Sequence, residues 1–158
     1  MKFFVAAACL AVGAVVAAGI WLRPAGSPLP ASVMRTVTFA LYYPDKSWRT
    51  EATQATYTNG VVALTTQKAG ITLSVTEQAT PPVFGDVPQY YPSLLAKMNE
   101  YASFNSALGT VYLTKPTELG GNQTAVLNGN GTLLFVRPST ALTTGGWQQF
   151  FGSLRAVH

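Results

Sequence analysis

The sequence predicts an α+β domain built on an antiparallel sheet of about six to seven strands, preceded by an N-terminal transmembrane helix. Three observations carry this. Residues 3–22 are uncharged and apolar throughout. Beyond them, short stretches of period-two alternation recur between turn signals, the pattern of half-buried strands. Two segments set apart from the strands repeat their apolar residues at helical spacing instead. Strands joined by tight turns, with helices segregated from them, give the order β-β-β-β-α-β-β-β-α and argue for an antiparallel rather than a parallel sheet.

The leader comes first. Phe3 to Leu22 (FFVAAACLAVGAVVAAGIWL) is twenty residues long. At ~1.5 Å per residue it makes ~30 Å of helix, the thickness of a bilayer's hydrocarbon core. Trp21 suits the interface at the far end, and Arg23-Pro24 ends the span. This predicts a cell-membrane anchor over 1–22, with the N-terminus inside and the following domain outside. The alternative is secretion after signal-peptide cleavage, for which Val16-Ala17-Ala18 offers a small-residue site. Residues 23–34 (RPAGSPLPASVM) hold three prolines and read as a partly stiff tether. The extracytoplasmic domain then occupies 35–158.

In Thr36–Tyr43, Val37, Phe39, Leu41 and Tyr43 alternate with smaller or more polar residues, which predicts the first strand. Pro44-Asp45 ends it. Thr53–Thr58 and Val61–Gln67 flank Asn59-Gly60, a strong hairpin signal because both residues accept positive φ. Lys68-Ala69-Gly70 makes the next turn, and Ile71, Leu73 and Val75 alternate in the strand after it. Pro81-Pro82, Gly85 and Pro88 interrupt the pattern. Pro92-Ser93 suits the first turn of a helix. Leu94, Met98 and Tyr101 lie on one face of it, widened by Leu95 and Ala102. Strands follow over Gly109–Thr114, Gln123–Leu127 and Thr132–Arg137, separated by Gly120-Gly121 and the turn Asn128–Gly131. A closing helix over Gly145–Ala156 presents Trp147, Phe150 or Phe151, and Leu154. Both helices are expected on one face of the sheet, leaving a Thr/Ser/Gln face to water.

Tyr43-Pro44, the Tyr57–Gly60 hairpin with Val61-Val62, and the strand Thr72–Gln78 ending in Glu77-Gln78 carry a resemblance. So does the later stretch from Leu108-Gly109 through Thr132-Leu133-Leu134 to Phe151-Gly152-Ser153-Leu154. Over residues 36–156 the chain resembles uncharacterised single-pass membrane proteins of candidate-phylum bacteria, whose outer domains are similar to the DUF4367 class. The resemblance implies an extracytoplasmic α+β domain and assigns no active-site residue.

Chemistry is scarce. Charged residues are 10% of the chain, against roughly 25% in an average soluble protein. The single histidine is the terminal His158, and the single cysteine, Cys9, lies in the leader. The domain is thereby left without the usual ligands of zinc or copper and without a positioned imidazole or thiol base. We expect no catalytic residues, no metal and no cofactor. Asp45 and Glu51 are close in sequence, but Lys46 and Arg49 between them read as a mixed-charge loop rather than a glycosidase pair. The net charge of +4 comes from scattered positive residues, not a basic stripe, so nucleic acid is not an expected partner.

Four aromatics stand out as a binding patch. Tyr42 or Tyr43 must face away from the core if the first strand is regular. An outward Tyr42, with Trp48 between Lys46 and Arg49, and Tyr90 and Tyr91, would make a platform for sugar rings or a peptide. The competing reading packs Trp48 at a core edge and Tyr90 and Tyr91 over the helix start. The expected function is a non-enzymatic, membrane-tethered extracytoplasmic domain that contacts an envelope protein, a lipid or a wall polymer. A carrier or sensor of a lipid or apolar ligand is the alternative. It requires a cavity lined by Phe39, Leu41, Leu73, Val75, Phe135 and Trp147. A secreted hydrolase relying on Asp and Glu alone is the third reading.

Overall fold

A computed structural model describes residues 34–48 and 55–156. The predicted anchor over 1–22, and the tether except Met34, lie outside these residues. No helix among the described residues is long and apolar enough to cross a membrane.

The described chain is dominated by antiparallel sheet. Seven strands form one sheet in the order β2-β3-β4-β8-β7-β6-β5. They are β2 (Thr56–Thr58), β3 (Val61–Lys68), β4 (Ile71–Ala79), β5 (Glu100–Ser106), β6 (Gly109–Thr114), β7 (Thr124–Gly129) and β8 (Thr132–Pro138). A separate two-stranded ribbon pairs β1 (Tyr42–Pro44) with β9 (Leu154–Ala156). The helices are α1 (Val83–Asp86), α2 (Tyr90–Lys97) and α3 (Thr144–Ser153), with a 3₁₀ turn at Thr117–Leu119. Three hairpin turns have positive φ at both central residues, Asn59-Gly60, Ala69-Gly70 and Asn130-Gly131. That is the twist-matched turn that fixes strand register.

Cross-strand register sorts the side chains into two faces. One carries Val62, Leu64, Leu73, Val75, Glu77, Leu134, Val136, Ala125, Leu127, Val111 and Leu113. Most of these join Trp147, Phe150 and Phe151 of α3, with Tyr42, Tyr43 and Trp48, in the principal hydrophobic cluster. The other face carries Val126, Leu133, Phe135 and Tyr112. There Leu95, Tyr91, Met98 and Phe84 of the α1–α2 segment form a smaller cluster.

The helices therefore lie on opposite faces, not on one as expected. The strand order supplies the reason. After β4 the chain must reach β5 at the far edge, and the connection passes over β8, β7 and β6. A Thr/Ser/Gln surface persists on β2–β4, where Thr56, Thr58, Thr65, Thr72, Ser74 and Thr76 share a face.

Three element boundaries differ from expectation. The predicted strand Thr36–Tyr43 starts in a turn, bends at Phe39 and pairs only from Tyr42. Its alternation is nonetheless real, since Val37, Phe39 and Leu41 are buried. This segment crosses the covered face of the sheet as a strap and packs on Val62. Its backbone bonds go to sheet side chains, Thr132 Oγ1 donating to Ala40 O (2.6 Å) and Tyr42 N to Glu77 Oε2 (2.8 Å). The second difference is an additional strand, β5. Tyr101 and Ala102 belong to it and not to the helix, because Asn99 at φ 54° reverses the chain after α2. Tyr101, Ser103 and Asn105 then alternate with the more enclosed Ala102 and Phe104. Finally, α3 stops at Ser153, whose hydroxyl donates to Phe150 O (2.6 Å). Leu154 is extended (φ −68°, ψ 135°) and opens β9 instead of continuing the helix.

Candidate functional site

The four aromatics of the expected platform do not share a surface. Tyr42 and Tyr43 are both buried, at 2% and 5% exposure, because β1 is sandwiched between the sheet and the neighbouring ribbon strand. The Tyr42 hydroxyl accepts from Asn130 Nδ2 (3.0 Å). Trp48 is buried too. Its ring meets Phe150 edge-on at 5.3 Å, its carbonyl accepts from the Thr66 hydroxyl, and Lys68 Nζ lies 4.9 Å from the ring centroid. Trp48 is thus a core residue of the α3 side. Arg49, one of its two predicted charged neighbours, lies outside the described residues, as does Glu51.

Tyr90 and Tyr91 belong to the opposite side. Both pack on Phe84, with centroids at 5.6 and 5.0 Å, and Tyr91 meets Tyr112 edge-on at 5.9 Å. The Tyr91 hydroxyl is enclosed without a hydrogen-bond partner, and burial first, then Tyr112 and Glu100, pushes its pKa upward.

The α2 helix presents two rows. Tyr91, Leu95 and Met98 point to the sheet, at i, i+4 and i+7. Tyr90, Leu94 and Lys97 form the same spacing on the other row, and with Val87, Gln89 and Ser93 they line a notch of about 230 Å³. Leu94 therefore lines this notch, whereas the sequence placed it on the inner face. Val87 and Tyr90 are 47% and 48% exposed, and the exposed Lys97 ends the row. Sequence reasoning placed Tyr90 here but missed Val87 and Lys97. The missed signal was the second helical row, one residue out of phase with the first.

The six residues of the proposed carrier cavity do not line one space. Leu73, Val75 and Trp147 are within the main cluster, Phe39 and Leu41 pack with Val62 in another, and Phe135 is on the opposite face. Among the described residues no three His, Cys, Asp or Glu side chains come together. Asp45 is held by Ser47, whose Oγ and N donate to Oδ1 at 2.6 and 2.9 Å, and Arg155 Nη2 lies 3.7 Å from Oδ2. These Ser47 bonds hold its carboxyl below the usual range, with a smaller attraction from Arg155.

One acid is unlike the others. Glu77 sits on the covered face of β4 at 1% exposure, with Val62 and Leu134 as its cross-strand neighbours. Oε2 accepts from Tyr42 N, while Oε1 is enclosed without a partner. Burial pushes this carboxyl up to about 8, against a smaller lowering by the Tyr42 bond. The strand's own period shows this position, since Leu73, Val75 and Glu77 fall on one face.

These features define an antiparallel-sheet domain with an apolar surface notch and, among the described residues, no cluster of His, Cys, Asp or Glu that could hold a metal. No family model matches the chain, and no curated protein or solved structure matches it either.

Proposed function

We propose that this chain is a non-enzymatic binding module, held outside the cytoplasm by an N-terminal membrane anchor, whose contact surface is the α1–α2 notch. The observation that carries the reading is the exposure of Val87 and Tyr90 beside an apolar notch of about 230 Å³. A concave, mostly apolar site with a few polar groups at its rim is the usual form of a small-ligand site. Lys97 at one end, with Gln89 and Ser93 along the rim, suits an acyl or other apolar chain ending in an anionic group. The uncharged segment 3–22 and the resemblance to single-pass envelope proteins support the location.

Laurate below its micellar concentration is the probe. Titration of the full chain, followed by calorimetry, is expected to give saturable binding. Tyr90→Ser weakens it at least fivefold. Lys97→Gln weakens laurate but leaves dodecanol unchanged. Absence of saturable binding, or indifference to both substitutions, overturns the proposal.

A further inference from the structure

The segment 36–43 is attached to the main sheet unlike any other part of the domain. It does not join the ladder of β2–β8. It lies across the sheet with Val37, Phe39 and Leu41 on Val62, and three side chains from the sheet and its β7–β8 turn reach its polar atoms. Thr132 Oγ1 bonds Ala40 O (2.6 Å), Asn130 Nδ2 bonds the Tyr42 hydroxyl (3.0 Å), and Glu77 Oε2 takes the Tyr42 N–H (2.8 Å). Only the last of these partners titrates within an accessible pH range.

The surroundings of Glu77 decide what its charge would do. Val62 faces it from β3 and Leu134 from β8. From the strap comes Tyr42, the one further titratable group at the site, whose hydroxyl is engaged with Asn130. No charged group contributes to its titration, and burial is the leading cause of its shift. A neutral carboxyl leaves its Oε1 hydroxyl without an acceptor, but it carries no charge, so its enclosure costs far less. A carboxylate there has an enclosed Oε1 with no donor, which is costly in an apolar setting. Water is the missing partner, and the strap is what excludes it.

We propose that Glu77 is a proton-operated clasp: its neutral carboxyl holds the strap 36–42 on the sheet, and ionisation releases the strap to let water reach it. The strap is the part of the described domain that follows directly on residues 1–33. Its release would uncover Val62, on which Val37, Phe39 and Leu41 pack. Strap opening frays the ribbon at Tyr42 but stays local, because Tyr43 and Pro44 remain paired with Arg155 and Leu154 and α3 has its own contacts in the main cluster. The group's shift to about 8 places the transition on the alkaline side of neutrality. Between the ordinary 4.5 and about 8 each pH unit favours the open state about tenfold, and above about 8 the balance levels.

Limited chymotryptic digestion of the full chain tests this, with Phe39, Leu41 and Tyr42 as strap sites and Phe150 and Phe151 as internal reporters of global unfolding. The ratio of wild-type to Glu77→Gln cleavage rates cancels the protease's own pH dependence. The strap ratio is expected to rise about tenfold per pH unit from pH 6 towards pH 8 and to level by pH 9, with cleavage in α3 unchanged. Asn130→Ala retains the carboxyl and loosens the strap. It should raise strap cleavage at each pH and keep the pH step, so the test survives if Glu77→Gln fails to fold. An equal pH response in wild type and Glu77→Gln, loss of protection in α3 together with the strap, or no step in Asn130→Ala overturns the clasp.

Discussion

On one face of the seven-stranded sheet, the ten-residue α3 sinks Trp147, Phe150, Phe151 and Ser153 out of solvent. On the other, α1 buries no residue fully and α2 buries Leu95 alone. The first face also receives the strap, the ribbon and Trp48, and Phe150 and Phe151 stack edge-on at 5.5 Å. The second face is covered by a connection whose length was set by the need to cross three strands. Two lessons follow. Stability resides where large aromatic rings interlock, since interiors tolerate little lost volume. Adaptable surface resides where the cover is thin, because low-stability segments are where local opening and binding occur.

The widest separation between the faces should come from pH. Glu77 lies on the thickly covered face, and its carboxyl titrates at about 8 when folded against 4.5 ordinarily. The folded state therefore keeps a proton that the unfolded chain releases. Stability is full below pH ~4.5, declines as pH rises through about 8, and then levels. At about 1.4 kcal/mol per pH unit, the loss reaches roughly 4–5 kcal/mol. Tyr91, on the thin face, is pushed further from neutrality and is silent in this window. Urea unfolding at pH 5, 7 and 9 reads the effect, and Glu77→Gln should flatten it. A wild-type profile as flat as the mutant's removes Glu77 from the account.

Truncating a buried apolar side chain on each side comes next. Phe150→Ala should cost about 4 kcal/mol, because Phe150 is fully buried and touches both Trp48 and Phe151. Leu95→Ala should cost about 2 kcal/mol, the low end for a buried leucine, because the surrounding half-buried residues can settle into the space. Amide exchange sharpens the contrast. Leu95→Ala should accelerate residues 83–98 selectively, whereas Phe150→Ala should accelerate the whole sheet. Equal costs and equal exchange patterns would erase the distinction between the faces.

Much of this was legible in the chain. Asn59-Gly60, Ala69-Gly70 and Asn130-Gly131 announced three hairpins because positive φ is a local requirement. The alternation of Val37, Phe39 and Leu41 foretold their burial, but not that the segment would cross the sheet without pairing. Hydrogen-bond partners distant in sequence, such as Glu77 and Thr132, are invisible to a local pattern. Strand β5 was lost for a similar reason. Tyr101 and Ala102 continue a helical period by chance, and a single asparagine in the left-handed region stops it. The side on which α1–α2 packs follows from strand order, which no periodicity encodes. The notch was half visible. Tyr90 was singled out as an aromatic, while nothing in the periodicity marked Val87 or Lys97.

Helix capping gives the smallest test of the two faces. The α3 helix starts at Thr143, in extended geometry (φ −71°, ψ 162°), and its hydroxyl accepts from Gly146 N at 3.2 Å. At α1 and α2 the corresponding positions are Pro82 and Gln89, both in helical geometry and neither making a side-chain cap bond. A capping hydroxyl satisfies an end-of-helix N–H that a buried helix cannot leave to water. Thr143→Ala should therefore destabilise the domain by about 1 kcal/mol, while Gln89→Ala should change it by less than about 0.3 kcal/mol. Urea midpoints at unchanged slope would read both. A Gln89→Ala loss equal to that of Thr143→Ala would show that the thin cover is anchored at its helix start after all, and that its openness must come from packing alone.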